Sequence, residues 1–342
     1  MGQGSRGRQI QRDRRRTGDL CGAHPEGARV TGAEPTSGGL IPVALLPDTD
    51  PYISEAILTA GGELTGLDDA RVLVWTGDVA GFPEPLPDHI EWVQLRLAGI
   101  ESFLNAGLLD DKRIWTNASG FYAENVAEHA LALLLTGLRQ INTAVRTRWD
   151  KDAVDTSVRS LHGSTVAIVG AGGIARSLIP RLAACGAAVI AVNRSGRDVE
   201  GAMETLPFDR LDEVWSRCDH VVLAAPSTDE TRHLINAKAL AAMRSHAWLI
   251  NVARGPLVDE NALHRALVDG EIAGAALDVT DPEPPAADNP LWDLPNVIIT
   301  PHVANPSSGL TRALAPWVGE NLRRFAAGGD DMLARVDPNA SY

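Results

Sequence analysis

The stretch Val166-Ala-Ile-Val-Gly170-Ala-Gly172-Gly-Ile-Ala175 decides the fold. Its first four residues are a short apolar run of the kind that forms a strand buried on both faces. Gly170-x-Gly172-x-x-Ala175 then opens a helix that runs on through Leu178, Leu182 and Ala184. Gly170 permits a tight turn, Gly172 lets the backbone approach a pyrophosphate, and Ala175 allows close helix–strand packing beneath the helix N-terminus. Many glycine triplets are plain turns, but here the strand–turn–helix context that the motif requires is present. The stretch reads as a dinucleotide cradle.

Working outward, Thr165–Val169 begins a series of strand-like runs at Ala188–Val192, His220–Ala224, Ala247–Asn251, Ala273–Leu277 and Val297–Ile299. Before it stand Ile41–Leu46, Arg71–Trp75, Trp92–Leu95 and Arg113–Trp115, each followed by a helix-length segment. Between the two series, Val126, Ala130, Leu133, Leu134 and Leu138 recur at three and four residues, which predicts one long helix over Glu124–Trp149. A last helix is expected at about Gly309–Ala326. The expected fold class is α/β: two doubly wound, Rossmann-like domains with parallel sheets, joined by the long helix. No repeat of solenoid period is visible.

Composition agrees with that reading. The 342 residues suggest about two domains, and 44% hydrophobic with 22% charged residues is ordinary for a globular chain with a core. A formal charge of −13 argues against nucleic-acid or anionic-membrane partners, and no apolar run reaches the roughly 18 residues of a membrane span. Three cysteines without metal-type spacing exclude a disulfide scaffold and a zinc ribbon, and a reducing, cytoplasmic setting is expected. Residues 1–39, with Arg12, Arg14, Arg15 and Arg16 clustered, lack aliphatic periodicity and are expected to be disordered. They read as a solvated tail, a nucleic-acid arm or import signal, or sequence upstream of a protein that starts near Leu40. The apolar h-region of a leader is missing, and Arg6 breaks the myristoylation pattern.

After the second strand of the dinucleotide unit comes Asn193-Arg194-Ser195-Gly196-Arg197. An acidic residue usually bonds the NAD ribose there. Its absence removes a charge that would repel a 2′-phosphate, and Arg194, Ser195 and Arg197 could bond one. NADP is the expected coenzyme, with NAD possible through Asn193; the bland reading is a solvated basic loop.

The segments Ala225–Asn236 (APSTDETRHLIN), Leu249–Asp259 (LINVARGPLVD), Gly274–Val279 (GAALDV) and Thr300-Pro-His302 resemble the motifs of the D-isomer-specific 2-hydroxyacid dehydrogenases. The resemblance runs from Leu40 to about Asp337 and includes Asn125–Leu134, where the family places its dimer interface. It implies a substrate domain from residues 40–137 and 304–338, with a dinucleotide-binding domain, 138–303, inserted between them. It implies hydride transfer between NAD(P)H and C2 of a 2-oxoacid or D-2-hydroxyacid, by a homodimer that needs no metal.

Residue by residue, Arg254 matches the arginine that binds the substrate carboxylate, a task suited to a fork of donors. His302 matches the acid/base histidine, and Glu283 the carboxylate that pairs with it and orients the ring; Asp281 is a rival two positions away. Gly170, Gly172, Gly173 and Ile174 would meet the pyrophosphate. Ala225, Pro226 and Thr231 would line the coenzyme cleft, and Val252, Ala253 and Asp278 would hold the nicotinamide end. Leu97, Ala98 and Gly99 correspond to the substrate loop, which continues Gly99-Ile100-Glu101 where the family commonly has Gly-Val-Asp. Trp149 reads equally as interface packing or as an aromatic reaching a partner's site. Two other readings stay open: a formate dehydrogenase-like enzyme, against which Glu283 argues, and an NAD(P)-sensing, corepressor-like binding protein. No regulatory domain is expected after the last helix.

Overall fold

In chain order the first elements are β1 (Ile41–Leu46), α1 (Pro51–Thr59), β2 (Gly62–Leu64), β3 (Val72–Trp75), β4 (Trp92–Leu95), α2 (Glu101–Asn105) and β5 (Ile114–Thr116). Next come α3 (Ala123–Leu138), α4 (Ile141–Thr147), β6 (Thr165–Val169), α5 (Gly173–Ala184), β7 (Ala188–Asn193) and β8 (Glu204–Pro207). The chain continues through β9 (His220–Leu223), α6 (Ala237–Ala242), β10 (Trp248–Asn251), α7 (Glu260–Val268), β11 (Gly274–Leu277) and β12 (Val297–Ile299). It ends with α8 (Leu310–Ala326) and β13 (Arg335–Val336). This is a computed structural model, and it describes residues 39–305 and 310–338. The expectations for residues 1–38, and the start of the last helix at Gly309, lie outside the described residues.

Two sheets result. The first has the order β13-β5-β4-β3-β1-β2, parallel except for the antiparallel pairing of β13 with β5. The second has the order β12-β11-β10-β9-β6-β7-β8 and is parallel throughout. In each, strand order reverses once, at β1/β3 and at β6/β9, and in open α/β sheets ligands bind outside the strand C-termini at such points. The strands β3, β4, β9, β10 and β11 are buried at every position, which explains why they are mostly apolar and why their few polar residues, Gln94, His220 and Asn251, are all buried.

One apolar cluster joins inner residues of both sheets, among them Val43, Trp92, Leu134, Ile168 and Trp248, through α3. α3 approaches β10 closely because position 137 is glycine: a Cβ there would meet the Trp248 ring at 2.4 Å. α8 returns the chain to the first sheet through buried polar groups. The amide of Asn321 donates to Gln94 Oε1 at 2.8 Å and to Leu333 O at 3.1 Å, and Leu333 N–H donates back to Asn321 Oδ1 at 2.7 Å.

The structure corrects three expectations. The single helix over Glu124–Trp149 is two helices, broken at Gln140, which is left-handed at φ 53°. The core ends with buried Leu138, and the amide of Arg159 donates to the Leu138 carbonyl at 2.8 Å, so returning chain takes the place of the next helical turn. No helix follows β3: Pro83, Pro85 and Pro87 interrupt the segment before β4, and proline lacks the donor a helix interior needs. The edge strands β2, β8 and β13 were absent from the sequence reading, being two to four residues long.

His220, on β9, supplies a pH prediction. Only 2% exposed, it accepts from Trp248 N–H at 3.3 Å and lies edge-on to His246, with Asp219 adjacent. Burial pushes its pKa down to about 4, Asp219 opposing and His246 assisting. The folded chain therefore keeps the ring neutral while the unfolded chain protonates it near pH 6.5. This contribution is complete above about pH 6.5 and is lost as pH falls towards 4, at up to about 1.4 kcal/mol per pH unit. Urea unfolding at pH 7.5, 5.5 and 4.5 should show that loss, and His220→Asn, less stable at neutral pH, should show a shallower one. An equal slope in the variant would assign the acid sensitivity elsewhere.

Candidate active site

The C-terminal edge of the second sheet gathers most of the residues singled out above. β6 is followed directly by Gly170, whose φ of +101° belongs to the left-handed region, and a Cβ there would lie 2.4 Å from Ala225 N. No other residue fits this turn. Gly172 caps α5 without a side-chain partner and faces open space, so the amides at the start of α5 are approachable by an anion. A Cβ on Gly173 would crowd Gly120 Cα at 3.1 Å, while Ile174 is half-buried beside the inner core. This is a cradle that a dinucleotide pyrophosphate fits.

At the end of β7 the side chain of Asn193 is engaged in its own turn. Its Oδ1 accepts from Ser195 N–H at 3.1 Å and its Nδ2 donates to Arg197 O at 2.7 Å. Arg194, Ser195 and Arg197 are exposed around it. Across the cradle, Ala225 and Thr231 are buried and Pro226 is exposed. Thr231 Oγ1 donates to Pro226 O and accepts from Thr228 N–H, both at 2.8 Å, so Thr231 shapes the loop.

The loop after β10 is held by Asn251, a residue that the sequence reading passed over inside the Leu249–Asp259 motif. Its Oδ1 accepts from Ala253 N–H at 3.0 Å and its Nδ2 donates to Arg254 O at 2.9 Å, with Val252 and Ala253 buried. Gly255 then sits against the backbone after β11: a Cβ there would meet Thr280 O at 1.9 Å. That contact joins the Arg254 loop to the loop carrying Glu283. Glu283 Oε1 accepts from Thr280 N–H at 3.2 Å, and its Oε2 lies 2.9 Å from His302 Nδ1. The rival carboxylate Asp281 lies towards Arg232 at 3.9 Å.

His302 is left-handed at φ 51°, and Asp278 fixes the segment around it. The Asp278 carbonyl accepts from His302 N–H, and its buried carboxylate accepts from Val303 N–H, Ala304 N–H and the Thr300 hydroxyl. His129 of α3 stands 3.3 Å from the same carboxylate and 3.1 Å from Thr300 Oγ1. Neither His129 nor Thr300 was singled out for this grip, although both lie within the quoted motifs.

From the first sheet, the loop after β4 comes opposite. Ala118 N–H donates to Leu97 O at 3.0 Å, and Asn117 Nδ2 to Ala98 O at 2.8 Å, which pins Leu97 and Ala98. Gly99 lies against Arg254: a Cβ on it would meet Nη2 at 1.9 Å. Arg254 thus reaches from the second sheet to the Leu97–Glu101 segment of the first. Among the described residues no group of three or more His, Cys, Asp or Glu could hold a metal ion, and no helix is long and apolar enough to cross a membrane.

Comparison with known proteins places this geometry. Residues 129–304 match the family described as D-isomer specific 2-hydroxyacid dehydrogenase, NAD binding domain. An uncharacterized protein of the proB 3′ region of Corynebacterium melassecola is 40% identical over 292 residues, covering 84% of this chain and 95% of the relative. The glyoxylate reductase of Thermofilum pendens is 36% identical over 214 residues, which are 60% of this chain but 63% of that relative's length. Among solved structures, a D-isomer specific 2-hydroxyacid dehydrogenase from Xanthobacter autotrophicus Py2, in complex with NADPH and MES, superposes with a TM-score of 0.76. It is 29% identical, and the match covers 88% of this chain and 99% of that one.

Proposed function

Because the chain belongs to the D-isomer-specific 2-hydroxyacid dehydrogenases, NAD(P)-dependent hydride-transfer oxidoreductases, we propose that it reduces a small 2-oxoacid at C2, with NADPH as the preferred coenzyme. The observation that carries this reading is the 2.9 Å pairing of His302 Nδ1 with Glu283, joined through the Gly255–Thr280 contact to the loop of Arg254. A bound nicotinamide supplies the hydride and takes it back in the reverse direction. Arg254 grips the substrate carboxylate, helped by backbone amides of the Leu97-Ala98-Gly99 loop. Glu283 fixes His302 through Nδ1, which leaves Nε2 to give a proton to the C2 oxygen and to recover it in oxidation.

Gly170, Gly172, Gly173 and Ile174 would hold the pyrophosphate, and Ala225, Pro226, Val252 and Ala253 would line the cleft. Thr231 and Asp278 hold the loops that do so. Residues 40–137 with 304–338 form the substrate side in this reading, and 138–303 the coenzyme side. The exposed Ile141 and Val145, one turn apart on α4, and the 99% exposed Trp149 just beyond its end are in this reading the surface on which a second copy would pack. A reducing cytoplasm suits the exposed coenzyme chemistry and the cysteines Cys185 and Cys218, which are free thiols.

The test is coenzyme oxidation with glyoxylate, hydroxypyruvate and pyruvate. Turnover with none of them would favour a binding protein that senses coenzyme. For coenzyme choice, Asn193 is occupied by its turn, and Arg194 and Arg197 are exposed beside it without an ion pair among the described residues. NADPH bound to the Xanthobacter relative accords with this. One charge-assisted bond to the 2′-phosphate is worth about 1.5–3 kcal/mol, or tenfold and more in affinity. NADPH should exceed NADH at least about tenfold in kcat/KM, and Arg194→Ala should remove most of that margin while sparing NADH. Equal efficiency in the unaltered protein would show that the arginines are surface charge.

A further inference from the structure

Arg254 already has a carboxylate partner. Its Nε donates to Glu101 Oε1 at 3.0 Å, and its Nη1 to the carbonyl of Ala253 at 2.7 Å. A Cβ on Gly99 would lie 1.9 Å from Nη2 and 2.8 Å from Glu101 Oε2, so guanidinium, carboxylate and loop backbone converge on one spot. Glu101 opens α2 on the first sheet's side, whereas Arg254 follows β10 in the second, so the pair bridges the two sheets. The two side chains are 37% and 33% exposed, so both are open to solvent and to a small ligand.

We propose that Glu101 determines substrate specificity: its charge, held at the arginine that takes the substrate carboxylate, rejects 2-oxoacids carrying a second anionic group. The proposal rests on the function given above. Arg254 offers one positive charge, and Glu101 already balances it. A monoanionic substrate brings one negative charge into the cleft; a dicarboxylate or phosphorylated oxoacid brings a further charge close to Glu101 with no cation assigned to it. Like charges in a partly desolvated cleft repel more strongly than in bulk water, and a fixed repulsive group discriminates against the wrong ligand without new contacts to the right one.

Glu101→Gln tests this, since a glutamine keeps an oxygen to accept from Arg254 Nε and lacks the charge. The quantity read is the ratio of kcat/KM for hydroxypyruvate to that for its 3-phosphate and for oxaloacetate. The unaltered protein should favour hydroxypyruvate, and the variant should shift the ratio at least tenfold towards the dianions, chiefly through KM, whatever happens to either rate alone. A purely bridging role for Glu101 would move all three substrates together, and an unchanged ratio overturns the proposal. Calorimetric titration with malonate and with acetate, in the presence of NADP, gives a readout independent of turnover. The variant should gain about tenfold in affinity for malonate relative to acetate, and no relative gain overturns the proposal. Absence of turnover with every 2-oxoacid would instead overturn the reading of the function, and the titration would still decide the role of Glu101.

Discussion

Replacing His302 by alanine should lower turnover by about 10²–10⁴-fold in both directions, the usual worth of a positioned general acid–base group. Coenzyme affinity should stay near its original value, because His302 lies on the crossing segment after β12 and not on the Gly170–Ile174 cradle. Alanine at φ 51° introduces backbone strain that asparagine tolerates better, so His302→Asn belongs beside it. A deep loss in both variants assigns the effect to the imidazole; a loss in alanine alone assigns it to the backbone. Steady-state rates in each direction, with coenzyme titrated by fluorescence, provide the measurement. Near-normal turnover in His302→Asn would remove the histidine from the mechanism.

Arg254→Lys should be almost as damaging although it conserves charge. The guanidinium places Nε on Glu101 and Nη2 at the Gly99 wall in one plane, and an ammonium cannot serve both directions. Two charge-assisted hydrogen bonds at about 1.5–3 kcal/mol each correspond to roughly 10²–10⁴ in kcat/KM. The loss should appear in KM for the oxoacid as well as in kcat, with coenzyme binding little affected. An unchanged KM would show that the substrate carboxylate binds elsewhere.

Much of this arrangement is legible in the sequence, and the exceptions share a cause. The strands around Val166, Val189, Val221, Leu249 and Ala275 stand out because burial on both faces favours apolar residues, and the boundaries agree within a residue. The break at Gln140 is not legible, since it depends on the amide of Arg159 reaching Leu138 from far along the chain. Short edge strands such as β13 carry no periodicity at all. At the site, the residue types Arg254, Glu283 and His302 are legible as motifs, and the structure brings Glu283 and His302 together. The contact of Arg254 with Glu101, 153 positions away, is invisible to any local pattern. So is the engagement of Asn193, which looks free for a ribose in the sequence and closes its own turn in the structure.

The grip of Asp278 on the segment around His302 has a mechanical consequence. Val303 and Ala304 are bonded to a carboxylate at the end of β11, and Glu283 hangs from Thr280 in the same strand connection, so the histidine and its partner are held by the same connection. Gly99 and Glu101 stand elsewhere, on the segment after β4. The Arg254–Glu101 link therefore depends on that segment, whereas the 2.9 Å His302–Glu283 distance does not. The His302–Glu283 pair is therefore assembled at folding, so under the proposed mechanism its ordering entropy is spent before substrate arrives. The part of that mechanism left to the segment after β4 is the setting of Arg254, and its gauge is the approach of Gly99 to the guanidinium.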